Sequence, residues 1–338
     1  MMLKRSDIRK ILVIKLRAIG DVVLSTPVIR NLRSAFPESE LDFLSETPSR
    51  DVLEGNPDLS SLLLFDPNHQ NGLQLIRNVR SRRYDLVIDL FGNPRSALVA
   101  LMSGARHRVG YRFGWRQFCY TAIVEPRGGE VHNVKFNLDA LRRINVPIVH
   151  SAPSFPVKTE SERFAEEFFS QSDLKSRAVI AFNPGGGWYT KRWRSHQFVE
   201  LGKLIVERLE ANILISWGPG ELEDAQGTAG GIGNHAYLAP SSSLSQFASL
   251  MKRCSMLVTN DSGPMHIAAC MGTPIVAIFG PTRPELQGPV GTRALVVRKT
   301  DLDCLGCNLT KCPIGNPCME ELSVEQVYSS VVALKAKL

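Results

Sequence analysis

The stretch Ile11-Leu12-Val13-Ile14-Lys15-Leu16-Arg17-Ala18-Ile19-Gly20-Asp21 decides the fold class of this chain. Its first four residues are apolar, which predicts a short buried strand. A basic, glycine-containing turn follows, and residues 22–36 then carry apolar side chains at helical spacing. A buried strand that leads through a turn into a helix is typical of a parallel α/β sheet.

The same alternation of strands and helices continues along the chain. In the first half we expect strands within residues 41–44 and 82–90 and a helix over residues 96–102. The pattern restarts after residue 177, with strands expected at residues 178–182, 212–216, 255–259 and 274–279. Helices are expected at residues 160–170, 196–209, 244–252, 264–271 and 324–335. The sequence therefore predicts two doubly wound α/β halves.

The length of 338 residues agrees with two domains, since a domain has ~150 residues. The stretch of residues 146–158 contains proline and lacks periodicity, which predicts a linker. We expect a first domain over residues 1–155, a second over residues 156–322 and a closing helix within residues 323–338. Two such domains that face each other would form a cleft. In open α/β sheets, ligands bind at the carboxyl ends of the strands.

Composition and charge narrow the class of protein. Hydrophobic residues make up 43% of the chain and charged residues 22%, which are ordinary values for globular domains. No apolar stretch reaches the ~20 residues of a membrane helix, and the short apolar run near the start does not fit a signal peptide. We expect a cytoplasmic protein with at most peripheral membrane contact. The net charge of +7 either favours anionic partners or is a solvated basic surface.

The first motif that could carry chemistry is the turn ending in Gly20 and Asp21. A glycine there lets the backbone approach a ligand closely, and a carboxylate at the end of a strand can accept a proton from a hydroxyl group. The alternative is that Asp21 only caps the following helix. The turn matches neither the Gly-x-Gly-x-x-Gly fingerprint of dinucleotide binding nor a P-loop.

Two further motifs lie in the second half. After the strand at residues 178–182 comes a loop with three consecutive glycines, followed by Thr190, Lys191 and Arg192, and this combination is moderately specific for phosphate. The alternative is a flexible turn with solvated basic residues. Glu221 follows the strand at residues 212–216 and could accept hydrogen bonds from ribose hydroxyls, or could simply begin a helix.

A fourth motif, Thr259-Asn260-Asp261-Ser262-Gly263-Pro264-Met265-His266, leads from a strand into a helix. Backbone N–H groups of Ser262 and Gly263 at the helix start would bind an anion, while Asp261 and His266 would orient polar groups of a ligand. The alternative is an ordinary capped helix. The stretch Gly280-Pro281-Thr282 ends the next strand and is expected at the same rim.

A cysteine cluster lies near the end of the chain. Cys304, Cys307, Cys312 and Cys318 could hold a structural zinc ion or an iron–sulfur cluster. Their spacing is not the paired Cys-x2-Cys of strong zinc modules, and the alternative is a set of thiols that pack a loop.

Together these motifs resemble the ADP-heptose:lipopolysaccharide heptosyltransferases, glycosyltransferase family nine. The matching stretches are residues 14–27, 183–185, 191–193, 260–269 and 278–282. Their order and spacing cover nearly the whole chain. The cysteine-rich tail is also similar to that of many members.

The resemblance implies a GT-B fold with two Rossmann-like domains facing a central cleft. It implies that the first domain binds the acceptor, that the second binds the nucleotide sugar, and that the closing helix packs back on the first domain. The activity implied is inverting transfer of heptose from ADP-L-glycero-D-manno-heptose to the lipid A-anchored inner core of lipopolysaccharide, without a cofactor. The acceptor implies contact with the cytoplasmic face of the inner membrane.

The resemblance also assigns roles to residues. Asp21 matches the catalytic base, and Gly20 belongs to the same substrate-binding turn. Thr190 and Lys191 match residues that bind the diphosphate, and Glu221 matches a ribose-binding acid. The sugar-nucleotide loop is matched by Asp261, Ser262, Gly263 and His266. From charge and position, Arg17, Arg95 and Arg112 are candidates for contacting an anionic acceptor.

Three alternatives stay open on the sequence. One is a GT-B transferase that uses another nucleotide sugar. Another is a non-catalytic, metal-containing binding protein in which the cysteine cluster holds the metal and carries the function. Nucleic-acid binding is disfavoured, because the basic residues are dispersed and no known nucleic-acid-binding motif is present.

Overall fold

Residues 7–172 and 174–338 are described by the structure, which is a computed structural model. The chain forms two compact units, one ending at Pro156 and the other beginning at Val157. This boundary lies inside the predicted linker. Each unit is built on one six-stranded parallel sheet.

The first unit alternates strands with helices. Its strands are β1 (Lys10–Ile14), β2 (Glu40–Glu46), β3 (Ser61–Phe65), β4 (Leu86–Asp89), β5 (His107–Tyr111) and β6 (Ala122–Val124). Its helices are α1 (Ile19–Val23), α2 (Thr26–Ala35), α3 (Arg50–Leu53), α4 (Gly72–Ser81), α5 (Pro94–Met102) and α6 (Asn133–Arg143). The order β3-β2-β1-β4-β5-β6 is the Rossmann order, in which the direction of winding reverses between β1 and β4.

The second unit repeats this plan. Its strands are β7 (Val179–Asn183), β8 (Asn212–Ile215), β9 (Ala236–Leu238), β10 (Met256–Asn260), β11 (Ile275–Ile278) and β12 (Ala294–Val297). Its helices are α7 (Thr159–Gln171), α8 (Ser195–Leu209), α9 (Leu222–Ile232), α10 (Leu244–Lys252), α11 (Gly263–Cys270), α12 (Pro284–Gln287), α13 (Pro317–Glu320) and α14 (Val324–Lys335). The order β12-β11-β10-β7-β8-β9 is again the Rossmann order, with its reversal between β7 and β10.

The central strands are apolar along their length because helices cover both faces of each sheet. Ile11 to Ile14 of β1 are buried between β2 and β4, and Val179 to Asn183 of β7 are buried between β8 and β10. The prediction of two doubly wound α/β halves is confirmed. Among the helices of the two described ranges, none is both long and apolar enough to cross a membrane.

The helical spacing at residues 22–36 is divided between two helices, α1 and α2. Ser25 is the N-cap residue of α2 and Pro27 lies in its first turn, so a new helix begins within that stretch. The closing helix α14 packs against α8, β11 and β12 of the second unit. The reason is its apolar face, which is buried in the core of the second unit through Val327, Val331 and Leu334.

Candidate functional site

The candidate residues lie where each Rossmann sheet reverses its winding. In the first unit, Asp21 follows β1, the strand beside the reversal. In the second unit, Lys191 follows β7 and Asp261 follows β10, the two strands that flank the reversal. Adjacent loops at this point splay apart above the sheet edge, which makes it the usual ligand site of such folds.

Asp21 is the third residue of α1 and is half-buried. Its Oδ2 accepts a hydrogen bond from the N–H of Ala18 at 3.4 Å, a long distance for such a bond. The capping role considered from the sequence therefore amounts to one long hydrogen bond. A carboxylate offers about four lone-pair sites, so this bond leaves capacity to accept a proton from a substrate hydroxyl. Gly20 lies beside it within α1.

Lys15 and Asp89 are buried next to this turn, and neither is among the predicted site residues. Lys15 Nζ donates to the carbonyl oxygen of Leu90 at 3.1 Å and lies 5.8 Å from the ring centre of Phe91. Burial lowers the pKa of Lys15, and the negative charges of Asp21 and Asp89 oppose that shift. The ammonium group therefore lies within electrostatic reach of both carboxylates.

Asp89 ends β4 and is fully buried. Its Oδ1 accepts hydrogen bonds from the N–H groups of Phe91 and Gly92 at 2.9 and 3.0 Å, and its Oδ2 accepts one from the hydroxyl of Tyr120 at 2.7 Å. Burial raises the pKa of Asp89, and these hydrogen bonds oppose the shift. Asp89 thus fixes the loop after β4 beside the Asp21 turn. The signal in the sequence was a carboxylate at the end of an apolar strand.

The arginines considered for an anionic acceptor differ in their surroundings. Arg17 is exposed in the loop between β1 and α1. Arg112 forms an ion pair with Glu125 at 2.7 Å, and Arg95 lies 3.8 Å from Glu46. Arg17 is therefore the candidate nearest in sequence to Asp21, while the other two are partly neutralised.

In the second unit, Lys191 and Asp261 form a buried ion pair. Lys191 Nζ lies 2.7 Å from Asp261 Oδ2, with the two side chains 14% and 4% exposed. Thr282 Oγ1 donates to the same Oδ2 at 2.6 Å, so the Gly280-Pro281-Thr282 stretch does reach this rim. The ammonium group also lies 4.6 Å from the ring centre of Trp188. A phosphate at this position would compete with Asp261 for the lysine.

Asn260 fixes the glycine-rich loop to the end of β10. Its Nδ2 donates to the carbonyl oxygens of Pro184 and Gly185 at 2.7 and 3.1 Å, and its Oδ1 accepts from the N–H of Trp193 at 3.1 Å. Thr190 is buried, and its hydroxyl donates to the carbonyl oxygen of Leu309 at 2.9 Å. In this structure Thr190 ties the loop to the cysteine-rich segment.

Glu221 joins two loops through its carboxylate. Oε1 accepts from the N–H of Gly186 and Oε2 accepts from the N–H of Gly218, each at 2.9 Å. A Cβ on Gly185 would overlap this carboxylate, so the loop requires glycine there. Arg192 lies 3.8 Å from Oε1 and donates to the carbonyl oxygen of Gly186 at 2.7 Å. Glu221 is therefore held in a defined position at the end of β8.

A cavity of about 200 Å³ lies beside Glu221. Its lining includes Pro184, Tyr189, Arg192, Trp217 and Ala225. Sites for whole drug-sized ligands have ~300–1,000 Å³, so this volume suits one part of a nucleotide. Aromatic, basic and acidic groups at its wall match the polarity of a ribose and its neighbouring base.

The loop after β10 leads directly into α11. Ser262 is the N-cap residue in an extended conformation, and Gly263 is the first helical residue. Backbone N–H groups at such a start carry partial positive charge, which favours an anion. His266 lies in the first turn and is buried. The Oγ of Ser262 donates to Asn183 Oδ1 at 3.4 Å, which links this loop to the end of β7.

The four clustered cysteines do not form a recognisable metal-binding group in the described part of the chain. Within residues 7–172 and 174–338, no group of three or more His, Cys, Asp or Glu side chains is placed to hold a metal ion. Cys304 and Cys307 are exposed, whereas Cys318 is buried and packs under Gly280. Burial, followed by the negative charge that nearby Cys307, Cys304 and Cys312 carry when ionised, raises the pKa of Cys318 to about 11. The predicted zinc or iron–sulfur site is unsupported.

Comparisons with known proteins agree with this arrangement. The family model described as "Glycosyltransferase family 9 (heptosyltransferase)" matches residues 73–317. The lipooligosaccharide heptosyltransferase 2 of Haemophilus ducreyi is 27% identical over 316 residues, covering 86% of this chain and 89% of that protein. The predicted family resemblance is confirmed.

Solved structures share the fold over the whole chain. A glycosyl transferase family 9 structure from Veillonella parvula has a TM-score of 0.87 and 27% identity, with 99% of both chains covered. An Escherichia coli heptosyltransferase solved with ADP-2-deoxy-2-fluoro heptose has a TM-score of 0.74 and 18% identity, covering 96% of this chain and 99% of that one. The expected GT-B class of α/β fold is confirmed.

Proposed function

The chain belongs to glycosyltransferase family 9, the heptosyltransferase family, and we propose that it transfers heptose from ADP-L-glycero-D-manno-heptose to the inner core of lipopolysaccharide. The observation that carries this proposal is the cluster of hydrogen-bond donors at the winding reversal of the second sheet. There Lys191, Thr282 and the start of α11 surround Asp261. A diphosphate needs such a set of donors.

The second unit supplies the donor site in this proposal. Lys191 and the N–H groups of Ser262 and Gly263 bind the diphosphate, and Thr190 positions the loop that carries Lys191. Glu221 accepts hydrogen bonds from the ribose hydroxyls with the lone pairs that Gly186 and Gly218 leave unused. Asp261 and His266 orient the sugar. An Escherichia coli member of the same fold was solved with an ADP-heptose analogue, which supports this choice of donor.

The first unit supplies the base. Asp21 removes the proton from an acceptor hydroxyl, whose oxygen attacks the anomeric carbon from the face opposite to the ADP group. The bond to the phosphate oxygen breaks, the configuration inverts and ADP leaves. Lys15 lies within electrostatic reach of Asp21 and places a positive charge beside the proposed base.

Fixed positive groups stabilise the leaving diphosphate, so the proposed transfer requires no metal ion or other cofactor. The charge that develops on ADP in the transition state meets Lys191 and the helix start, which are already in place. The acceptor in this proposal is the lipid A-anchored core oligosaccharide. Its location implies work at the cytoplasmic face of the inner membrane.

Binding of the donor to the purified protein tests the proposal. Titration calorimetry would compare ADP-heptose with UDP-glucose, using wild type, Lys191→Met and the control Lys203→Met, whose lysine is exposed on α8. We expect ADP-heptose to bind the wild type and the control alike, and at least about tenfold more weakly to Lys191→Met, because a charge-assisted contact with phosphate is lost. Equal or tighter binding of UDP-glucose would instead indicate a transferase for another nucleotide sugar.

A further inference from the structure

The basic surplus of the chain is concentrated in one segment of the first unit. Residues 77–116 contain nine arginines, two aspartates, and neither lysine nor glutamate, so their net charge is +7. The whole chain has the same net charge of +7, which means that the rest of the sequence is neutral in sum. One of the two aspartates, Asp89, is fully buried. The positive charge is therefore concentrated in this segment, where Arg82, Arg95 and Arg112 lie beside carboxylates from outside it and the other arginines form no ion pair with such a carboxylate among the described residues.

The same segment exposes apolar side chains on helix α5. Leu98, Leu101 and Met102 are 42%, 39% and 44% exposed, and their spacing places them on one face of the helix. The opposite face of α5 is buried in the core through Ala97, Val99 and Ala100. This helix is thus apolar on both its buried and its exposed faces. A surface helix of a soluble protein ordinarily presents polar residues outward.

Two aromatic side chains extend this apolar surface. Trp115 and Phe118 are 54% and 79% exposed on the 3-10 helix Gly114–Cys119, which packs against α5. Cys119, at the end of this turn, belongs to the same buried core as Ala97 and Val99. We name the five exposed residues, three from α5 and two from the turn, the apolar patch. Contiguous exposed patches of this kind mark interaction surfaces.

Arginines border the apolar patch and keep their charge. Arg80 donates to the carbonyl oxygen of Met102 at 3.2 Å, and Arg116 donates to that of Phe113 at 3.0 Å. Arg108 donates to the carbonyl oxygens of Cys119 and Ala105 at 2.8 and 2.6 Å. A carbonyl oxygen satisfies a donor without cancelling the positive charge of a guanidinium. The patch therefore has a cationic border.

We propose that the apolar patch and its arginine border dock the first unit onto the surface of an anionic lipid bilayer. Tryptophan and phenylalanine side chains insert at the headgroup level, where the apolar ring leaves water and the rest of the residue stays hydrated. Arginines around them attract the negative headgroups. A bilayer offers both an apolar layer and a negative surface, and this combination matches the two parts of the patch.

The proposed docking surface rests on the proposed function, because a transferase whose acceptor is lipid-anchored must work at a membrane. The test below contains neither donor nor acceptor. Its failure would remove the docking surface while leaving the transferase proposal standing. Failure of donor binding would leave the vesicle result unaffected.

The experiment is co-sedimentation of the full chain with vesicles. One set is made of phosphatidylethanolamine with phosphatidylglycerol, and the other of neutral phosphatidylcholine alone. The test variant is Trp115→Ser/Phe118→Ser. The matched control is Val149→Ser/Ile314→Ser, which replaces two side chains that are 64% and 63% exposed outside the patch. Thermal unfolding of every variant verifies that it is folded.

We expect the wild type and the control to bind the anionic vesicles, and binding to fall as salt is raised. The test variant should partition at least about tenfold more weakly, since burial of a single aromatic ring contributes on the order of tenfold. Equal binding of wild type and test variant would overturn the proposal. It would also be overturned by wild-type binding that ignores lipid charge, or by a dimer in sedimentation velocity that the test variant dissociates.

Discussion

The ion pair between Lys191 and Asp261 allows a quantitative prediction for Lys191→Met. The substitution leaves a carboxylate that is only 4% exposed without its cationic partner. Breaking a buried pair in this way costs ~3–5 kcal/mol. The hydroxyl of Thr282 still donates to the carboxylate at 2.6 Å and offsets part of this cost, so we expect a loss of ~2–3 kcal/mol of unfolding free energy. For a unit of this size, that corresponds to a fall in Tm of ~5–10 °C.

A second substitution separates the ion pair from catalysis. Asp261→Asn in the Lys191→Met background removes the unpaired charge and keeps an acceptor for Thr282. We expect this double variant to regain most of the lost Tm in differential scanning fluorimetry without regaining transferase activity, because the diphosphate still lacks its lysine. An unchanged Tm of Lys191→Met would refute the claim that the buried ion pair stabilises the protein. So would a double variant no more stable than the single one.

Two further predictions follow from close packing and from burial. Gly185→Ala places a methyl group against the Glu221 carboxylate, and should cost ~1–3 kcal/mol of unfolding free energy and weaken donor binding. Gly187→Ala is the control, because a Cβ there lies in open space. Calorimetry should show unchanged stability and unchanged donor binding for this control. Burial lowers the pKa of Lys15, so the lysine holds its proton more firmly in the unfolded chain than in the folded one. The free energy of unfolding therefore rises with pH between the lowered pKa and the ordinary value of 10.5. The unfolding free energy of wild type minus that of Lys15→Met should therefore increase as the pH is raised toward about 10 in urea titrations, and a constant difference would argue against a buried lysine.

The bounds of two capped helices were predicted to the residue. The expected bounds of α10 and α14 match the structure, because Ser243 and Ser323 each cap a helix by accepting a hydrogen bond from the N–H of a glutamine three residues later. Apolar runs likewise located β1, β7, β8, β10 and β11 to within one or two residues. Local chemistry determines these elements, so a single sequence contains the information.

Elements whose stability comes from tertiary contacts were missed. Helix α9 contains Gly227, Gly230 and Gly231, which are poor helix formers, and Gly231 is where the helix approaches Val199 of α8 closely. Strand β9 has three residues, all half-buried, at the edge of its sheet. Its pairing with β8 defines it as a strand, and a short half-buried segment carries little periodicity of its own.

The site was predicted in its parts but not in its connections. The sequence picked out the loops that carry Asp21, Lys191 and Asp261, because glycine and charged residues follow apolar strands there. It did not indicate that Lys191 pairs with Asp261, or that Lys15 reaches a carbonyl oxygen 75 positions away. These contacts depend on strand order, which sets neighbouring loops together and is not visible in local patterns. The cysteine spacing, read alone, suggested a metal site that the structure does not support.

Release of ADP tests the central claim most directly. The purified protein would be given ADP-heptose and a heptose-deficient lipopolysaccharide core, beside Asp21→Asn, with ADP binding measured for both proteins. We predict acceptor-dependent release by the wild type and a loss of about 100-fold or more in Asp21→Asn with ADP binding retained, as expected for removal of a general base. Equal release by the two proteins, or none by the wild type with any core acceptor, would contradict the claim.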